Sequence, residues 1–193
     1  MAFKLAPVDV CVKINDRRDP FSSFKRWAMG SPYDHVFVNL GVMPLLVGPS
    51  FYSIPMLFES DGNGVIIEPL ARHYGQMVAV MRLKAEFDRR RILYIIEEAV
   101  KLVQDPQAQY DYRCIAEYVL PRLLCQKLGL PVPLKYHRDR MMICSEAAFE
   151  IFYRAKVVDI LRANCVPPMP GDFVTDSPLL EEVHRGILTT DWV

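Results

Sequence analysis

The 193-residue sequence predicts an α+β fold, in which a mostly antiparallel sheet packs against helices. Segments with strand-like alternation follow one another through short turns over residues 8–83, and strands joined in this way pair antiparallel. Apart from one short segment at 21–29, helical spacing of apolar residues begins after residue 86 and returns after residue 144. The length suits one domain, so we expect residues 1–193 to form a single unit with a helical elaboration at about 86–128.

The first two strands are predicted from the alternation of their side chains. Residues 8–14 alternate between apolar and other residues, and residues 35–40 do the same after a Ser-Pro-Tyr-Asp turn. In the second of these strands His35, Phe37 and Asn39 share one face, because successive side chains point to opposite sides of a sheet.

A hairpin turn divides the next two strands. Residues 61–64 read Asp-Gly-Asn-Gly, and apolar segments run over 56–60 before this turn and over 65–68 after it. Residues 41–55 are rich in Gly and Pro and are predicted to be an irregular connection between strands. A further strand is predicted at 76–83.

Helical patterns occupy the middle and the later part of the chain. Apolar residues over 92–103 recur at 3.6-residue spacing, and a second helix is predicted over 112–128. A short helix is also predicted at 21–29. After a basic, proline-rich link at 131–140, a further helix begins at Cys144 and should bury an apolar stripe against the sheet. That stripe consists of Cys144, Ala147, Ala148, Ile151, Phe152, Ala155 and Val158.

Charge and cysteine content exclude several classes of protein. Lys plus Arg equals Asp plus Glu at 23 each, so no basic surface for nucleic acid is predicted. No segment approaches the roughly 18 apolar residues that a membrane span requires, and the N-terminus is a poor signal peptide. The five cysteines are odd in number and lack a Cys-x-x-Cys pair, so a reducing, cytoplasmic location is predicted.

Cys144 and His35 are the residues that suggest chemistry. Cys144 opens a helix, where unpaired backbone N–H groups favour a thiolate and can donate to an oxyanion. His35 opens a strand after a turn, a position from which its ring can face a cleft and take the proton of a thiol. The alternative interpretations are a buried structural cysteine and a surface or capping histidine.

A third group should orient the imidazole by accepting its second N–H. Glu59 and Glu68, on the two arms of the predicted hairpin, are both candidates. His73, His137 and His184 are weaker candidates for the base, and His184 is assigned to a charged helix near the C-terminus. A basic cluster in the link before Cys144 could attract an anionic substrate, although a solvated loop is the simpler interpretation. That cluster comprises Lys135, Arg138 and Arg140.

The order of these segments resembles the circularly permuted papain-like hydrolases of the NlpC type, in particular the YiiX/YaeF-like group of bacteria and their viruses. Residues 35–38 resemble the histidine strand of that family, and residues 58–60 resemble its glutamate segment. Cys144-Ser145-Glu146 resembles its nucleophile box, and residues 170–173 resemble its C-terminal loop. In ordinary papain-like enzymes the cysteine comes first in the chain, whereas here it comes last.

The resemblance implies a permuted papain-like fold and a thiol hydrolase that cleaves an amide or peptide bond through an acyl-enzyme. Cys144 would be the nucleophile and its backbone N–H an oxyanion donor, with His35 as the base. Glu59 would orient the imidazole, and Glu68 is the alternative orienting carboxylate. The implied substrates are peptides or small amides, such as cell-wall peptides or N-acyl amino acids, and no metal or cofactor is expected.

Two other functions remain open from the sequence. An acyltransferase on the same scaffold would use a second nucleophile in place of water. A catalytically inactive binding or virion protein would keep the fold without the reaction. The resemblance also covers proteins of viral origin, so a phage-encoded protein is one possible source.

Overall fold

A six-stranded antiparallel sheet forms the centre of the fold, in a computed structural model that describes residues 3–15, 31–84, 89–109, 124–125, 128–129, 142–162 and 168–193. The strands are β1 (Val10–Ile14), β2 (Tyr33–Val47), β3 (Ser50–Asp61), β4 (Gly64–Pro69), β5 (Met77–Leu83) and β6 (Leu180–Ile187). Their order across the sheet is β4-β3-β2-β1-β5-β6, and every neighbouring pair is antiparallel. The α+β class and the antiparallel sheet predicted from the sequence are therefore confirmed.

Helices cover one face of this sheet. They are α1 (Arg89–Gln104), α2 (Cys144–Arg154) and the short α3 (Asp172–Thr175), and 3-10 turns lie at Leu70–His73 and Thr190–Trp192. The core on the helical face includes Phe58 from β3, Ile95 from α1 and Ile151 from α2. A smaller core on the opposite face contains Phe37, Leu57 and Leu70 among others. Helix α1 falls within the helical elaboration predicted for residues 86–128.

The irregular connection predicted over residues 41–55 is wrong, because these residues extend β2 and β3 into a two-stranded ribbon. The pairing runs from Val42 with Pro55 to Val47 with Ser50. Strand β2 pairs with β1 only through Tyr33–Val38, so the ribbon extends past the strands that flank it. Proline is tolerated where a strand has no further neighbour to bond, which explains why a Gly- and Pro-rich segment still forms strands.

The charged helix predicted around His184 is also wrong, because His184 lies in β6 opposite Val80 of β5. Strand β6 is the edge of the sheet, and its outward residues Glu182 and Arg185 form an ion pair. Charged side chains are common on edge strands, where they discourage pairing with other chains. The charge density that suggested a helix is therefore explained by an edge strand.

The helix that begins at Cys144 is confirmed, but it ends earlier than the predicted stripe. The first six residues of that stripe are buried, whereas Val158 is 50% exposed. Lys156 has φ of +64°, a left-handed conformation that ends the helix at this point. The helix predicted at 21–29, the link at 131–140 and almost all of the helix at 112–128 lie outside the described residues.

Within the described part of the chain, no helix is long and apolar enough to cross a membrane.

The packing of α2 on the sheet predicts a difference between two isoleucines. Ile151 is fully buried in α2, and Ile187 in β6 is 56% exposed. Ile151→Ala should lower the free energy of unfolding by about 2–5 kcal/mol, because it removes buried methyl groups and leaves a cavity. The matched Ile187→Ala should cost about 1 kcal/mol or less. Urea unfolding of the two variants measures this difference, and equal losses would contradict the assigned packing.

Candidate active site

Cys144, His35 and Glu59 line one cleft of about 380 Å³. His35 lies near the start of β2, Glu59 lies near the end of β3, and Cys144 is the first residue of α2. Val38 pairs with Phe58 in the ladder between β2 and β3, so Glu59 lies beside the part of β2 that carries His35. The structure thus brings together three residues that are separated by up to 109 positions in the sequence.

The contact between His35 and Glu59 joins the two strands at the cleft. The Nε2 atom of His35 forms a hydrogen bond with Oε2 of Glu59. Glu59 is only 2% exposed, whereas the His35 side chain keeps 20% of its surface accessible. Since Nε2 faces Glu59, Nδ1 is the ring nitrogen that remains for the interaction of His35 with Cys144. The ring therefore lies between a thiol and a carboxylate.

Buried hydrogen bonds hold the start of α2 in place. The hydroxyl of Ser60, one residue after Glu59, donates to the carbonyl of Met142 at 2.8 Å. The hydroxyl of Ser145 donates to the carbonyl of Pro168 at 2.6 Å. The carboxylate of Glu146 accepts the N–H of Ile143 at 2.9 Å, which satisfies one of the donors at the helix N-terminus. These contacts fix Cys144 relative to the strand that carries Glu59.

The electrostatics of the cleft favour a protonated imidazole. Burial lowers the pKa of His35, but the charge of Cys144, a hydrogen bond with Cys144 and the contacts with Glu59 outweigh it and raise the pKa to about 10. Burial also opposes ionisation of Glu59, yet the hydrogen bonds from His35 and His73 lower the pKa of Glu59 well below its usual range. Each charged group is thus stabilised by a partner of opposite charge.

His73 is a second imidazole on the same carboxylate. Its Nε2 atom lies 3.0 Å from Oε2 of Glu59, and its Nδ1 atom lies 2.9 Å from Oε1 of Gln76. The ring stacks on Phe37, with centroids 4.4 Å apart and an interplanar angle of 10°. Sequence reasoning ranked His73 low, because nothing in its local sequence shows that a 3-10 turn places it against β2 and β3.

Glu68 is paired with Arg72 rather than with His35. Oε1 of Glu68 accepts from Nη1 of Arg72 at 2.6 Å, and Nη2 of Arg72 donates to Asp61 at 2.7 Å. The same guanidinium lies 3.5 Å from Oε1 of Glu59. Of the two carboxylates that the sequence left open, Glu59 is therefore the one that contacts the imidazole of His35.

His184 takes no part in this cleft. His184 stacks on Phe3 at 4.3 Å and lies edge-on to Trp192, on the face of the sheet that carries the smaller core. His137 and the basic cluster of Lys135, Arg138 and Arg140 lie outside the described residues.

Three of the residues in the cleft also form a set of potential metal ligands. The side chains of His35, Glu59 and His73 each offer one donor atom, and these atoms lie within 4.8 Å of one another. Two imidazoles and one carboxylate form a known ligand set for Zn²⁺ in proteins.

Comparisons with known proteins support the fold. The structure is similar to a crystal structure described as the metalloprotein yiiX from Escherichia coli O157:H7, with a TM-score of 0.60. The alignment covers 96% of this chain and 100% of that chain at 14% sequence identity. No protein-family model matches the sequence, and no curated protein matches it. The similarity agrees with the YiiX/YaeF-like resemblance of the sequence at the level of the fold.

The charge arrangement predicts how His35 titrates in metal-free protein. The imidazolium should persist at pH 8 and lose its proton only near pH 10, as followed by NMR of the ring nitrogens. In Cys144→Ala the pKa should fall towards the ordinary value of 6.5, because two of the interactions that raise it come from Cys144. Titration near 6.5 in both proteins would contradict the arrangement.

The raised pKa of His35 also determines how the stability of the fold depends on pH. Since the folded pKa of His35 lies above its ordinary value, the interaction stabilises the fold fully below about pH 6.5. This stabilisation is lost as the pH rises through about 10. The difference in unfolding free energy between the wild type and Cys144→Ala should shrink over that interval.

Proposed function

We propose that the protein is a thiol hydrolase that cleaves an amide or peptide bond through an acyl-enzyme on Cys144. The observation that supports this most strongly is the position of the His35 ring, between Cys144 and the buried carboxylate of Glu59 in one open cleft. A nucleophile, a base and a group that orients the base are the three parts that covalent acyl transfer requires.

The reaction begins with the Cys144 thiolate and the imidazolium of His35. The sulfur attacks the carbonyl carbon of the substrate, a C–S bond forms, and the carbonyl oxygen takes up negative charge. His35 then gives its Nδ1 proton to the leaving amine as the C–N bond breaks, which leaves a thioester on Cys144. Water attacks the thioester while His35 accepts a proton from it, and the carboxylic acid leaves as the C–S bond breaks.

The start of α2 supplies the oxyanion donor in this proposal. The N–H of Cys144 lies in the first turn, where backbone N–H groups lack partners within the helix. A donor in this position stabilises the charge that develops on the carbonyl oxygen, and loss of one such donor costs a rate factor of roughly 10²–10³. Glu59 keeps the ring of His35 in the productive orientation and stabilises its positive charge.

The chain order of these residues is that of a permuted papain-like domain spanning residues 1–193. The histidine strand comes first, the glutamate strand follows, and the nucleophile helix comes late. In this arrangement the sheet provides the base and its partner, while α2 provides the thiol.

The lining of the cleft favours a polar substrate. Besides the three reacting residues, charged side chains from β1, β2 and the β3–β4 hairpin face it, among them Lys13, Asp34 and Asp61. A carboxylate and an ammonium group at the wall suit a ligand that carries both charges, as amino acids and short peptides do. We therefore propose peptides and amides of amino acids, including cell-wall peptides, as the substrate class; N-acyl amino acids carry only the carboxylate, which Lys13 alone would match.

Metal binding is a second candidate function, favoured by the His35, Glu59 and His73 cluster and by the word metalloprotein in the description of the structural neighbour. The donor types and their spacing fit a divalent transition metal ion, although the sequence predicted none. Such an ion supplies Lewis-acid chemistry when it is bound. The residues that would hold it include the base and the orienting carboxylate of the thiol mechanism.

The two candidate carboxylates provide a matched test of the triad. Glu59→Gln should lower kcat for an aminoacyl-coumarin amide by about 10²-fold or more, because the neutral amide no longer stabilises the imidazolium and its NH2 group can favour the wrong tautomer of the ring. Glu68→Gln removes the same charge from the neighbouring strand and should lower kcat by less than about tenfold. A larger loss in Glu68→Gln than in Glu59→Gln would contradict the assignment of Glu59.

Removal of the thiol tests the nucleophile directly. Cys144→Ala should abolish turnover while the variant still unfolds in one cooperative transition, and intact-protein mass spectrometry of the wild type should show one acyl group added at Cys144 during turnover. Cys125→Ser, which removes another free cysteine, serves as the control. Product analysis with an added amine distinguishes hydrolysis from acyl transfer. Full activity of Cys144→Ala would contradict the proposal.

A further inference from the structure

We propose that a divalent transition metal ion binds His35, Glu59 and His73 and holds the site in an inactive state that excludes the thiol reaction. This inference rests on the proposed role of His35 in the thiol mechanism. It extends that role by giving the same ring two exclusive partners, the metal ion and the proton that catalysis needs.

The geometry of the three donors suits one ion. Nε2 of His35 and Nε2 of His73 both point at the same carboxylate oxygen of Glu59, and the His73 contact measures 3.0 Å. In a tetrahedral Zn²⁺ site with bonds of about 2.0–2.2 Å, neighbouring donor atoms lie about 3.4 Å apart. Small side-chain rotations would therefore convert this hydrogen-bonded cluster into three metal bonds.

His73 is the part of the cluster that the thiol mechanism does not need. One imidazole suffices to serve Cys144, and the carboxylate of Glu59 already accepts from His35. The second ring is nevertheless buried, and it is fixed by Gln76 at Nδ1 and by stacking on Phe37. Ligand histidines in metal sites are oriented in the same way, by a partner on the second ring nitrogen.

The local charge favours a dication. Three carboxylates, those of Glu59, Asp61 and Glu68, surround the single guanidinium of Arg72. With a metal ion in place of the His35 proton, the three acidic side chains of the β3–β4 hairpin outnumber the guanidinium of Arg72. This excess of acidic groups offsets part of the cost of removing a metal ion from water.

Metal binding blocks the proposed reaction because of the protons that His35 must carry. In the thiol mechanism the ring carries protons on both nitrogens, one facing Glu59 and one that passes to the leaving amine. A metal ion on Nε2 leaves only the Nδ1 proton. Transfer of that proton would create an imidazolate, so the acylation step stops while the ion is bound.

The experiment begins with protein that has been treated with a chelator and dialysed. Titration with Zn²⁺ should show one equivalent bound by calorimetry, and Co²⁺ should give the visible absorption of a tetrahedral site. His35→Asn and His73→Asn should each weaken Zn²⁺ binding by more than 10-fold, because each removes a ligand. His184→Asn should leave it unchanged, because that ring lies on the other core. Cys144→Ala should bind Zn²⁺ at least as tightly as the wild type, because the sulfur is not a ligand.

Two measurements test whether the metal ion excludes the thiol reaction: the protonation of His35, which needs no substrate, and turnover. In the Zn²⁺ form, ring-nitrogen NMR should show His35 protonated at Nδ1 and metal-bound at Nε2, and turnover should be lost and restored by chelator. The inference is overturned by an absence of Zn²⁺ binding, by binding that survives His73→Asn, by binding that disappears in Cys144→Ala, or by full turnover of the Zn²⁺ form. A protein that binds Zn²⁺ through these ligands but never forms an acyl-enzyme would overturn the hydrolase proposal and leave the metal site standing.

Discussion

The buried carboxylate of Glu59 is the charge on which the arrangement of the site depends. A carboxylate that is only 2% exposed would cost several kcal/mol if it had no partner, so the fold must supply donors to it. His35 from β2 and His73 from the turn after β4 supply two of them. The guanidinium of Arg72 adds a positive charge at 3.5 Å. The burial of Glu59 therefore accounts for the two imidazoles that lie against its carboxylate.

The sheet and the helix contribute different parts of the chemistry. The antiparallel ladders of β2, β3 and β4 fix the carboxylate and its donors in a rigid register. Helix α2 brings the thiol, and the hydrogen bond from Ser60 to Met142 ties the start of that helix to the residue after Glu59. A displacement of α2 would therefore separate Cys144 from His35 while leaving the Glu59 cluster intact. With this division, one cleft could serve both the proposed thiol reaction, which needs α2, and the proposed metal site, which needs only the sheet side.

The sequence predicted which side chains lie together in the cleft better than it predicted the elements around them. Cys144 and His35 could be singled out because Cys144 opens a helix and His35 lies near the start of a strand, and the pattern of apolar residues indicates both elements. The strand begins at Tyr33, two residues before the start that the sequence predicted. The choice between Glu59 and Glu68 could not be made from the residues alone, since both follow apolar runs on adjacent strands. Only the contacts in three dimensions separate them, because Arg72 pairs with Glu68 and His35 contacts Glu59.

The features that sequence analysis missed all depend on pairing between distant segments. His73 gains its role from a stacking contact with Phe37, which lies 36 positions earlier in the chain. The ribbon at 41–55 contains Gly and Pro that disfavour strands, and it forms because a hairpin with open edges tolerates them. Strand β6 has the charge of a solvated helix, and only its pairing with β5 shows that it is an edge strand.

The most direct measurement of the central claim is the rate at which iodoacetamide alkylates Cys144 in metal-free protein at pH 6, read by peptide mass spectrometry. If the Cys144 thiol has given its proton to His35, the resulting thiolate should react at this pH much faster than Cys125 in the same molecule. His35→Asn should remove the difference. If Cys144 reacts no faster than Cys125, or if His35→Asn leaves its rate unchanged, then the thiol and the imidazole do not act as a pair.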